Sequence, residues 1–134
     1  MLVCDQVITE QGTNKKSLIG IFVNVFSATF PVIIPRISVY VKLVDADGKY
    51  DFKLRLVKLK DEGLIAEVDL EAQISESRQS AELALNMLNL PLPEPGSYEF
   101  QLYTGDIYLH RATMDVIQVE GQLPWQQQQH PTKS

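Results

Sequence analysis

A thiol and an imidazole can form a nucleophile and its base, and the body of this 134-residue chain offers one of each, Cys4 and His110. The thiol would need the imidazole within hydrogen-bond reach, and the imidazole would need a third group to orient it. The two stand in the first and last extended segments. No phosphate-binding glycine loop, nucleophile elbow or cluster of metal-spaced His and Cys accompanies them. A lone cysteine in an apolar segment behaves as a small hydrophobe. His110 beside Arg111 breaks the apolar alternation of the last segment, which marks a bulge or an exposed edge. No catalytic residue is assigned, no cofactor is implied, and the chain reads as a non-enzyme.

Carboxylates are the second possibility. Asp45-Ala46-Asp47-Gly48-Lys49-Tyr50-Asp51 has a faint likeness to a calcium loop, without the third Asp before Gly and without the closing Glu. Asp followed by Gly is equally the chemistry of a tight turn. If successive strands alternate in direction, the loops after the first, third, fifth and seventh strands share one end, which gathers Asp45, Asp47, Glu76 and Asp106. A hard cation needs six or more oxygen ligands. The four are therefore calcium candidates, and a calcium- or carbohydrate-binding domain using the Asp45 and Asp47 end loops is the alternative reading of function.

The elements that would position these groups are strands. Leu90-Pro91-Leu92-Pro93-Glu94-Pro95-Gly96-Ser97-Tyr98-Glu99-Phe100 is a turn cluster running into an alternating strand. In immunoglobulin-type sandwiches a Tyr near the start of the sixth strand, two residues before a core position, bonds back across the corner between sheets. Gly96, Tyr98 and Phe100 stand in that relation and are the expected structural determinants. Eight extended segments follow from alternation and turn residues. They begin with residues 2–10 and 17–26, with Pro31 and Pro35 then bracketing a short connection. Residues 80–90 are open between strand and helix, because Ala81, Leu83, Leu85 and Met87 alternate while their composition also suits a helix. Strand fits the context.

Register between the fourth and fifth strands follows from parity, since apolar faces must meet. A three-residue loop Asp61-Glu62-Gly63, with Gly63 left-handed, satisfies it. That loop sets Arg55 opposite Asp69 and Lys53 opposite Glu71, so the run Lys49, Lys53, Arg55, Lys58 and Lys60 reads as a solvated sheet face. The fold class predicted is all-β, an immunoglobulin-like antiparallel sandwich of about eight strands over residues 1–120. Residues 121–134 read as a flexible glutamine-rich tail, in which Leu123-Pro124-Trp125 is a short docking element or an unstructured end.

A net charge of −5 argues against nucleic acid, whose binding draws on clustered Lys and Arg. With one cysteine there is no internal disulfide, and with no leader-like segment or long apolar stretch the expectation is a cytoplasmic chain off the membrane. Cys4-Asp5-Gln6-Val7-Ile8, Ser17-Leu18-Ile19-Gly20-Ile21-Phe22, Phe30-Pro31 with Pro35-Arg36, and the Leu90 to Phe100 segment together resemble a family of short bacterial proteins with no assigned function. The resemblance spans roughly residues 1–119 and implies a stand-alone β-sandwich without carrying over any site. The functional expectation is a binding or assembly module, with a protein partner or a homo-oligomer formed through terminal edge strands. The first strand is the expected contact edge, guarded only by Asp5.

Overall fold

The computed structural model describes residues 1–44, 47–74 and 80–120. Nine strands form two sheets: β1 (Leu2–Thr9), β2 (Lys16–Ile21), β3 (Asn24–Ser27), β4 (Val32–Val44), β5 (Gly48–Lys58), β6 (Gly63–Ile74), β7 (Ser80–Leu92), β8 (Gly96–Thr104) and β9 (Ile107–Gln118). One sheet has the order β2-β1-β4-β7 and the other β3-β9-β8-β5-β6. Residues 80–90 are strand. Their odd-numbered side chains, Ala81 to Met87, face the core, and alternation outweighs helix propensity because β4 supplies a full-length antiparallel partner.

The inward rows of both sheets meet in one core that includes Ile37, Val39, Val41, Phe52, Leu54, Leu56, Leu90, Leu92, Phe100, Leu102 and Met114. Both β4 and β7 change face midway. Ile34 opposite Leu90 and Ile37 opposite Met87 all pack on the core, and the change falls at Pro35 and Asn89, the latter at φ 52°. Pro35 therefore lies inside a strand and does not bound it. β1 pairs with β4 only through Leu2, Val3 and Cys4, so no β1 partner stands beside Pro35 to miss its absent N–H.

Residues 17–26 are two strands, not one. β2 pairs with β1 in the first sheet, the chain bends after Ile21, and β3 then pairs with β9 in the second, parallel to it. That parallel pair departs from the fully antiparallel expectation. The parity of β5 against β6 holds, but the register differs by two residues. Lys53 faces Asp69, Arg55 faces Glu67 and Asp51 faces Glu71. A bulge at Leu56 and Val57 absorbs the difference, the loop is Leu59 to Glu62, and Glu62 (φ 58°), not Gly63, is left-handed.

Candidate functional site

The corner between the sheets fixes the start of β8. Tyr98 is fully buried, and its hydroxyl donates to the Glu94 carbonyl at 2.6 Å while accepting from the Glu94 N–H at 3.4 Å. Burial raises the Tyr98 phenol above its ordinary value, against the opposing pull of that bond. Lys58 belongs to the same corner. Its ammonium is only 15% exposed and lies 3.3 Å from Asp61 and 3.5 Å from Glu94, so it is not part of a solvated face. Desolvation pulls its pKa down, but the hydrogen bonds and charges of Asp61 and Glu94 together carry it upward.

The residues with catalytic potential stand in different sheets, and among the described residues no hydrogen bond joins them. Cys4 is buried in the middle of the first sheet, where its thiol donates to the Gln6 and Ser38 carbonyls at 3.5 Å each. Burial pushes the thiol above its ordinary pKa, which suppresses the thiolate. His110 is exposed on β9 in the other sheet, beside a register shift opposite Leu102 and Tyr103, with Nδ1 on the N–H of Arg111 at 2.9 Å. Of the four calcium candidates, Asp45 and Glu76 lie outside the described residues. Asp47 is exposed, its N–H donating to the Tyr50 hydroxyl, and Asp106 is exposed in the β8–β9 turn. Among the described residues no three His, Cys, Asp or Glu side chains are arranged to hold a metal ion.

The outer face of the second sheet carries the charged rows of β5 and β6. Glu67 lies 3.5 Å from both the Lys53 ammonium and the Arg55 Nε as an ion pair, and that buried Nε makes no hydrogen bond. The nearly buried Glu99 accepts from Gln101 at 2.9 Å and faces Arg111 at 3.8 Å. Two shallow hollows lie on this face. One, of about 230 Å³, is lined by Lys53, Arg55, Tyr103, Gly105 and Asp106. Its two cations, Lys53 and Arg55, share the single Glu67 carboxylate.

The flank where the chain crosses between sheets is different. β6 and β7 pack on each other and close the opposite flank. On this one β2 and β3 are the sheet edges, and among the described residues no strand lies beyond either. In the strand order β1 lies between β2 and β4, and β9 between β3 and β8, with β4 pairing only Leu2 to Cys4 of β1 and β3 pairing only Asp115 to Gln118 of β9. The expectation that β1 is the contact edge is thus corrected, because the β1–β2 hairpin folds β2 onto its outer side. Along the open edge Ile19, Ile21, Val23 and Phe26 are exposed, Ile21 at 57% and Val23 at 62%. Beneath them a pocket of about 410 Å³ opens between the sheets, lined by Asp5, Gly20, Ile21, Phe22, Val25 and Ile34 among others.

Gly20 shapes this edge. It sits at φ +70°, and a Cβ there would fall 2.8 Å from the Asp5 Cγ and nearer still to Oδ2. The Asp5 carboxylate therefore lies across Gly20 at the open edge, and it enters no ion pair among the described residues. In the sequence Asp5 stands out as the charge on the first strand, and Gly20 carries no such mark. The available signal was a glycine inside an alternating strand, which marks a bulge or a close approach.

Two sheets packed face to face, joined by a buried corner tyrosine, define an immunoglobulin-like β-sandwich. Among the described residues no helix is long and apolar enough to cross a membrane. The chain belongs to the DUF6941 family, a family of unknown function whose model matches residues 1–117. A comparison with curated proteins finds no match.

Proposed function

We propose that this chain is a cytoplasmic, non-enzymatic binding and assembly module whose working surface is the open β2 edge, where it takes up an extended strand of another protein chain. The observation that carries the reading is the run of exposed apolar side chains Ile19, Ile21 and Val23 on and just after β2, whose outer side has no neighbouring strand among the described residues. An unpaired strand edge offers N–H and C=O groups for strand addition, and adjacent apolar side chains supply the burial. The separation of Cys4 from His110 supports the non-enzymatic part, and an unpaired cysteine fits a reducing compartment.

Hydrogen exchange of the β2 amides tests it, with a synthetic peptide of residues 15–22 as the probe strand. Strand addition slows the outward-facing β2 amides and leaves β7 unchanged. β2 amides that stay fast at saturating peptide sink the reading.

A further inference from the structure

Asp5 and Lys16 stand on the same open edge, and neither meets an opposite charge. Lys16 Nζ donates to the Thr9 hydroxyl at 3.0 Å and to no carboxylate, while Asp5 has no ion pair among the described residues. In β2 the side chains alternate, so Lys16, Leu18 and Gly20 share one face, and Asp5, the neighbour of Gly20 in the β1–β2 register, shares it too. That face is the one turned toward the inter-sheet pocket, because Val3 on the same row of β1 is in the core. An inward-pointing charge at an edge disfavours indiscriminate pairing. It also selects: an incoming strand has to bring a cation to the position beside Gly20.

We infer that the partner strand is β2 of a second copy of this chain, paired antiparallel about a two-fold axis through Leu18, so that Lys16 of each copy lies beside Gly20 of the other and bonds its Asp5. The inference rests on the edge reading above. An antiparallel two-fold makes paired positions add to a constant, and the centre at Leu18 sets Lys16 against Gly20 twice. Asp5, Gly20 and the incoming Lys16 then form one cross-strand row two strand spacings wide, roughly 10 Å between the outer Cα atoms. Gly20 adds no side chain between them, and the carboxylate already leans over it. On the opposite face Ile19 of each copy meets Ser17 of the other. The two four-stranded sheets become one sheet of eight, with β2 no longer at an edge. A six-residue strand, its two isoleucines included, buries less than the ~1,600 Å² of a standard interface, so the dimer is weak and reversible.

Sedimentation equilibrium over concentrations from about micromolar to millimolar tests this, on wild type, Asp5→Lys, Lys16→Asp and the double variant, with circular dichroism confirming that each is folded. Wild type dimerises, each single variant places like charges together and weakens the dimer at least tenfold, and the double variant recovers it through the exchanged pair. A monomer at every concentration overturns the inference, as does a dimer indifferent to both single changes or a double variant no better than the singles. If wild type is monomeric while its β2 amides still slow with the 15–22 peptide, self-pairing fails and the edge reading survives. If the amides stay fast under both conditions, the edge reading itself fails.

Discussion

Replacing Tyr98 with Phe isolates one hydroxyl in a fully buried ring. The hydroxyl donates to the Glu94 carbonyl at 2.6 Å and accepts from the Glu94 N–H at 3.4 Å, so its loss leaves two part-buried main-chain groups short of a partner. The ring stays, and the cavity created is one oxygen. A lost neutral hydrogen bond costs about 1 kcal/mol and an orphaned partner adds to that, giving about 1–2 kcal/mol and a melting temperature lower by roughly 3–8 °C for a domain of this size. Urea unfolding should show a lower midpoint with an unchanged slope. The pH dependence supplies a second check. Burial raises the Tyr98 pKa above the ordinary value of 10.0. A raised folded-state value means that the contribution is complete below the unfolded pKa and is lost as pH climbs through the folded one. Phe has nothing to lose, so the stability gap between wild type and variant narrows above about pH 10. Equal midpoints at neutral pH, or a gap that stays constant into the alkaline range, would refute the account of the corner.

Gly20→Ala forces a Cβ against Asp5 and places an L side chain at φ +70°; urea unfolding should show a loss of about 1–2 kcal/mol, part of it recovered by adding Asp5→Ala. Lys58→Met removes the cation beside Asp61, whose carboxyl is held below its ordinary value by the Gly63 N–H first and Lys58 after it. Because a depressed carboxyl contributes above its unfolded pKa and loses that contribution as pH falls, the variant should show a shallower decline in stability through the acid range than wild type. Cys4 should stay unreactive toward a thiol reagent in native protein and react at once in denaturant; fast labelling of the native protein would show that β1 opens.

Local alternation carried the strands of the second sheet and the corner, since Tyr98, Phe100 and Leu102 announce their face without reference to the rest of the chain. It could not carry the crossing between sheets. Residues 18–26 are apolar on both parities because each half faces something different, and only the positions of β1 and β9 decide where the chain bends. The β5–β6 register was off by two for a related reason. Charge pairing fits either register, and the shift opposite Leu56 and Val57, where β6 carries the extra residue Ile65 while the β5–β8 register runs on unbroken, has no mark in the alternation. The candidate edge was hidden because edge status belongs to the sheet order, and no residue of β2 records that β1 folds inside it.

The parallel pair of β3 with β9 also sets a schedule. β2 can close on β1 as soon as the hairpin leaves the ribosome, but Asn24 to Ser27 must wait for Asp115 to Gln118, about ninety residues later. Pairings of such separation form late, and apolar segments left open meanwhile are the ones that stick to neighbouring chains. Throughout most of synthesis the Val23 to Phe26 stretch is an uncovered apolar segment, and the charges nearest to it along the chain are Lys16, seven residues before Val23, and Arg36, ten residues after Phe26.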